Sequence, residues 1–292
     1  MRATSTVHSD LRESADPAVR RLAGDRSADV LASPRVQALL EFPDVHPYRK
    51  FWGTHWRLVS LADLAATGAG PMSRGVEQEL TWLTSSEHRT RIRSVAGLVR
   101  RCASQEGNAV YACSQLGFAA DPRVRLLVDS LIEWQWPDGG WNCDKRPEAH
   151  RSSFHESVTP ALGLAAFGQA TGDAAALSAA TRTAELLLQH QLFRSGSSGR
   201  AIHPSWTRPH YPAYWHYDVL QGLRLLRSLE LLGDPRCEDA LEVLSRARRG
   251  DGRLSGPRWS SRTQPDAVDW GVGPENEMLN LLAGDILEAA AR

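Results

Sequence analysis

Trp134-Gln135-Trp136-Pro137-Asp138-Gly139-Gly140-Trp141-Asn142 is the stretch whose reading decides the fold. It follows an amphipathic run over 124–134, with Leu, Val and Ile on one face and Arg, Glu and Asp on the other, so it closes a surface helix. Pro137 presets φ, and Gly139 and Gly140 tolerate positive φ, which makes Pro-Asp-Gly-Gly a tight turn. Three of the chain's ten Trp fall inside this stretch, and the whole chain has six Phe and five Tyr. Aromatic bulk dominated by Trp is unusual, and here part of it is concentrated at one turn.

Outward from this turn the pattern is helical nearly throughout, with no convincing period-2 alternation. Helix starts recur as Asp or Ser followed by Pro: Asp16-Pro17, Ser33-Pro34, Asp121-Pro122 and Asp234-Pro235. The Asp or Ser satisfies an orphan N–H, and Pro in the first turn has no donor to lose. Amphipathic helices are expected over 124–134, 174–191 and 237–248. A second, more apolar set is expected over 55–66, 108–116, 155–168, 216–232 and 276–290. Its starts recur at roughly 50–60 residues, the period of a stacked helix-pair repeat. Each start carries polar or aromatic residues, which suggests inner helices pointing their N-terminal ends at one cavity mouth. The expected fold is all-α, an αα-barrel (toroid or partial toroid) of about five helix pairs. Residues 1–27 are expected to be a flexible leader and 28–292 a single domain, with long loops at 190–212 and 250–273.

Composition excludes several classes. The chain has 292 residues and 34 Lys+Arg against 34 Asp+Glu, so it lacks the cationic excess that phosphate backbones require. Its 42% hydrophobic and 23% charged residues are those of a globular chain. No apolar run approaches the roughly 20 residues of a membrane span. The polar, mixed-charge N-terminus reads as neither signal nor transit peptide. Cys102, Cys143, Cys237 and Cys113 lie far apart without a CxxC pair, unlike a disulfide framework or zinc ribbon. A reducing, cytoplasmic setting is expected.

The 134–142 stretch resembles the QW motif of squalene–hopene cyclases and the related repeat of protein prenyltransferase β subunits. Arg249-Gly250-Asp251-Gly252-Arg253-Leu254 is a weaker echo of it. The resemblance implies an αα-toroid with an apolar, aromatic-lined cavity suited to isoprenoid chains. No two Asp are adjacent, so the DxDD acid and the DDxxD magnesium–diphosphate motif of terpene cyclases are both absent. The resemblance therefore supplies a fold and a cavity without a reaction.

Candidate site residues cluster at the inner-helix starts. His155, Glu156, His216 and Asp218, with Asp144, form the expected catalytic set, because a His–carboxylate pair in a Trp-lined pocket has its proton affinities shifted by desolvation and by its partner. His55, Trp56, Arg57, Glu106, Trp141, Tyr214, Trp215, Trp270 and Glu277 are expected to contact substrate. The Trp faces could stabilise a cation and Arg57, Arg100 or Arg101 an anionic group. The same polar groups could instead satisfy helix-start N–H donors, and the Trp rings could be repeat packing. No cofactor is required. The prenyltransferase resemblance implies zinc as the alternative, at Cys143, His155 and His216. The leading expectation is acid–base cyclisation, isomerisation or elimination on a hydrophobic, isoprenoid- or polyketide-like molecule. A carbohydrate hydrolase or lyase using Glu106, Asp144, Glu156, Asp218 and Glu277, or a non-catalytic lipid- or peptide-binding scaffold, are the alternatives.

Overall fold

A computed structural model describes residues 10–257 and 266–292; the first part of the expected leader (1–9) and part of the 250–273 loop (258–265) lie outside the described residues. The chain is mostly helical. Its longer helices are α1 (Thr54–Asp63), α2 (Ala69–Thr84), α3 (Ser104–Gln115), α4 (Pro122–Trp134), α5 (Phe154–Thr171), α6 (Ala174–Gln189), α7 (Val219–Ser228), α8 (Glu238–Arg246) and α9 (Glu277–Ala290). All four Asp/Ser-Pro starts are real caps. Asp16, Ser33, Asp121 and Asp234 accept from the backbone N–H of Ala18, Val36, Arg123 and Arg236 respectively.

The helices form two layers. Successive odd-numbered helices are neighbours: α1 lies on α3, α3 on α5, α5 on α7 and α7 on α9. Each even-numbered helix covers the odd-numbered one before it and also touches the one after it. Burial follows the layering: α5 is buried nearly all round, whereas α8 buries only Ala240 and Leu244. The tightest inner contact, α3 on α5, depends on missing side chains. A Cβ on Gly107 would stand 2.5 Å from Pro160 Cα, and one on Gly163 would stand 2.4 Å from the Gly107 carbonyl.

Each even-numbered helix is followed by a hairpin turn. After α2 it joins β1 (Arg93–Val95) to β2 (Leu98–Arg100), antiparallel, through Ala96 and Gly97, both at positive φ. After α4 the Trp136 N–H donates to the Gly140 carbonyl and the Gly139 N–H to the Trp136 carbonyl, with Gly139 at φ +96°. After α8 the pattern recurs: the Arg249 N–H donates to Arg253, the Gly252 N–H donates to Arg249, and Gly252 sits at φ +81°. The weak echo in sequence is thus the same turn in space. Gln135 extends it: its amide donates to the Gly139 and Ala179 carbonyls at 2.9 Å each, and its oxygen accepts from Arg182. The end of α4 is thereby tied to the middle of α6. The Trp141 indole N–H returns to the Leu131 carbonyl at 3.0 Å.

Several expectations change. The helix expected from 216 begins at Val219, because Asp218 takes the cap and accepts from the Gln221 N–H. The sequence pattern outlined neither α2 nor the strand pair. The buried body also starts ahead of the boundary expected at residue 28. Leu11, Ala18, Val19 and Ala23 are core residues, and the short helix Pro17–Leu22 lies against α9. A second short helix, Pro34–Leu39, lies against α1, so the segment 17–39 bridges the last and first inner helices. Among the described residues no helix is long and apolar enough to cross a membrane.

Candidate functional site

Four inner helices and one loop enclose a cavity whose empty space, open mouth included, is about 560 Å³. Trp56, Ser60 and Asp63 come from α1, Asn108 and Tyr111 from α3, and Val158, Thr159 and Leu162 from α5. Gln221 and Arg224 come from α7, and Tyr214 and His216 from the loop ahead of it. The helical spacing explains the set. Trp56 and Asp63 are seven residues apart, two turns, and so share one face of α1.

The polar end of this cavity is a junction of three helices. The Arg224 guanidinium donates to Asp63 Oδ1 at 2.5 Å, and the Tyr111 hydroxyl donates to the same oxygen at 2.8 Å. Arg224 also donates to the Gln221 side-chain oxygen at 3.0 Å. Burial, and next the Asp63 charge, keep the Tyr111 phenol protonated far above neutral pH. Two lining residues carry a buried donor with no protein partner, the Trp56 indole N–H and the Gln221 side-chain amide. Each such unpaired buried donor carries a desolvation cost.

Two groups with shifted proton affinities stand at or beside the cavity lining, His216 on the loop ahead of α7 and Asp266 bonded to Tyr214 of that loop. His216 stacks on Trp215 with ring centres 3.9 Å apart, edge-on to His155 at 6.1 Å. Burial, followed by the charges of His155, His210 and Lys50, pushes its imidazole down to about 4, so it is neutral at pH 7. Tyr214, at φ +53° and stacked on Phe51, donates its hydroxyl to Asp266. Burial and then Asp269 push the Asp266 carboxyl up to about 7.

The expected catalytic residues do not form one constellation. Only His216 lines the cavity. His155 accepts from the Tyr217 N–H through Nδ1 at 2.8 Å, and burial lowers its proton affinity. Asp218 is fully buried; it accepts from the His210 N–H at 2.9 Å and faces His210 Nδ1 at 3.1 Å, which fixes the loop onto α7. Glu156 turns toward α3, where it accepts from the Ser104 hydroxyl at 2.9 Å. Asp144 is a surface group held down to about 2 by Arg146.

Of the expected substrate contacts, Trp56 and Tyr214 line the cavity, and Trp215 stands behind His216. The others lie outside the cavity lining. His55 bridges Glu79, at 2.7 Å, and Asn108, at 3.0 Å. Arg57 donates to the Trp52 and Ala38 carbonyls. Glu106 accepts from Arg101 at 2.6 Å beside His88. Trp141 is core, Trp270 packs edge-on to Tyr211, and Glu277 holds Ser14 and Arg35. Sequence reasoning missed Asp63, Tyr111, Gln221, Arg224 and Asp266. For two of them a signal existed: Asp63 and Arg224 are charges set among apolar residues of inner helices, positions that must either pair or face a cavity.

A second cluster lies where the first two hairpins meet. Arg100 bridges Asn142 in parallel, and the Arg101 N–H donates to the Asn142 carbonyl at 3.2 Å, which sets Cys102 beside Cys143. Cys143 Sγ lies 3.7 Å from Glu156 Oε1, and the ligand atoms of Cys102, Cys143 and Glu156 all fall within 4.8 Å of one another. Cys143 thus stands with Cys102 and Glu156, whereas His155 turns to Tyr217 and His216 to the cavity. All four cysteines are thiols. Comparison of the chain with protein families, with curated proteins and with solved structures finds no match.

Proposed function

We propose that the protein is a small-molecule enzyme in which the inner helices form an αα-toroid around the cavity. It carries out acid–base cyclisation, isomerisation or elimination on a hydrophobic, isoprenoid- or polyketide-like substrate. The sequential contacts α1–α3–α5–α7–α9, with the segment 17–39 between α9 and α1, support the ring. The observation that carries the function is the pairing at the mouth: a neutral His216 and the Tyr214–Asp266 couple face one aromatic cavity, with proton affinities pushed in opposite directions. Groups tuned apart in this way are a base and an acid. His216 accepts the proton that leaves the substrate. The Tyr214 hydroxyl turns from Asp266 to give its proton to the accepting atom and is reprotonated by the Asp266 carboxyl, which stays protonated up to about pH 7. The apolar wall (Val59, Val158, Leu162) would hold the substrate's hydrocarbon part.

A glycosidase reading is less well supported, since it needs two carboxylates facing one substrate. Asp63 is the one carboxylate among the residues lining the cavity, and it is tied to Arg224 and Tyr111.

The experiment is incubation in D2O with a panel of prenyl alcohols and enones, read by mass spectrometry for rearranged or deuterated product. Binding is read in parallel by Trp fluorescence. Product that is lost in His216→Gln, with binding and melting temperature retained, is the expected result. Binding without turnover in the wild type would leave a carrier, and unchanged turnover in His216→Gln would remove the base.

A further inference from the structure

We propose that Cys102, Cys143 and Glu156 form a binding site for a borderline-soft divalent metal ion, zinc above all, with one coordination position left open. The site does not rest on the reading of the cavity and stands whether or not that cavity is catalytic. Two thiolates and a carboxylate are zinc ligands by type, and three protein ligands are the number found where a fourth position serves water or substrate.

The distances fit. With zinc–sulfur at about 2.3 Å and zinc–oxygen at about 2.0–2.2 Å, a tetrahedral S···O edge is about 3.5–3.7 Å. Cys143 Sγ and Glu156 Oε1 are 3.7 Å apart, and the whole group lies within 4.8 Å, so closing on an ion needs only small side-chain motion.

The arrangement is also held from outside. The Arg100–Asn142 bridge and the Arg101–Asn142 hydrogen bond fix the two strands from which the thiols project. Ser104 holds Glu156 through its hydroxyl at 2.9 Å and its N–H at 3.3 Å. These contacts play the part of the outer-shell partners that orient metal ligands.

Charge points the same way. Among the described residues Glu156 has no ion pair. The Arg101 guanidinium, next in sequence to Cys102, is engaged by Glu106 and His88. A cation bound here would supply the opposite charge that Ser104 and the Cys143 thiol replace only by hydrogen bonds to Glu156.

The test is titration of the fully reduced full-length chain with Co2+ under anaerobic conditions, followed by competition with Zn2+. One equivalent should bind, with an ultraviolet thiolate-to-cobalt charge-transfer band and the intense visible bands of a four-coordinate ion. Zn2+ should erase both. Cys102→Ser should remove much of the charge-transfer band, and Glu156→Gln should weaken Co2+ binding by about tenfold or more while keeping it. Cys113→Ser, a buried thiol elsewhere in the core, should change nothing. Lack of uptake by the reduced wild-type chain, or uptake unaffected in both Cys102→Ser and Glu156→Gln, overturns the proposal. Circular dichroism of each single variant confirms that it is folded, so loss of the site is not confused with loss of the protein. A Cys102–Cys143 disulfide in chains that take up no metal would make the pair a redox couple instead.

Discussion

Asp63 and Arg224 are 161 residues apart in sequence and meet at 2.5 Å inside the cavity, their side chains 4% and 14% exposed. One comes from α1 and the other from α7, with Tyr111 of α3 on the same oxygen, so the contact fixes three inner helices relative to one another. Such a pair is costly to break, because either partner alone becomes a buried, uncompensated charge. Arg224→Leu is expected to lose about 3–5 kcal/mol in urea denaturation. The double variant Asp63→Leu/Arg224→Leu should recover a large part of that loss, a sign that the penalty belongs to the orphaned carboxylate. Equal losses in single and double variants would contradict this.

Gln135 makes the second long-range tie. Gln135→Ala removes its hydrogen bonds to Gly139, Ala179 and Arg182, leaving the Thr183 hydroxyl as the one side chain that still ties the Gly139 carbonyl to α6. A destabilisation of about 1–3 kcal/mol is expected. Hydrogen exchange should speed up at the α4–α6 junction, at the amides of 136–140 first, with the α7–α9 side unaffected.

The close approach of α3 and α5 predicts a sharp contrast between two glycines. Gly107→Ala drives a methyl into the backbone of Pro160, where neither helix can yield without moving the cavity wall. It should cost about 1–3 kcal/mol or more, and it should also disturb ligand binding. Gly196→Ala, in a loop position with open space around the added carbon, should leave the melting temperature unchanged.

The two mouth groups give opposite slopes of stability against pH. His216, with a folded value of about 4 against an ordinary 6.5, leaves stability intact above 6.5 and lowers it as pH falls from there toward 4. Asp266, raised to about 7 from an ordinary 3.8, has its full stabilising effect below 3.8 and loses it as pH rises through 7. His216→Gln should therefore be less acid-sensitive than the wild type between pH 6.5 and 4. Asp266→Asn should remove part of the decline toward pH 7. Melting temperatures across that range decide both signs.

Asp144→Ala should alter neither stability nor any activity, since its carboxylate is a surface partner of Arg146. Loss of turnover in this variant would return Asp144 to the reacting groups.

The local rules of the chain were legible in its sequence. Asp16, Ser33, Asp121 and Asp234 cap as their Pro neighbours imply, and the Gly139 and Gly252 turns share one hydrogen-bond pattern. Helix α2 was obscured by Gly68, Gly70 and Pro71 at its start, residues that a first turn tolerates but that break the periodic pattern. The site was less legible, for a physical reason. Polar residues at inner-helix starts cap, bridge and pair with one another, as Asp218, Glu106 and Glu277 do, and nothing in their spacing separates that work from catalysis. Cys102 and Cys143 meet because two hairpins lie side by side, a register that no single stretch encodes.

The grip of Ser14 and Arg35 on Glu277 spans 263 and 242 residues. Contacts of that separation are the slowest to form, because almost the entire intervening chain must be ordered before its ends can find each other. During synthesis the helix Pro17–Leu22 therefore lacks its partner until α9 leaves the ribosome. This latch closes only after nearly all of the chain described above is made, and nascent chains halted before residue 277 should be the species that proteases and chaperones recognise.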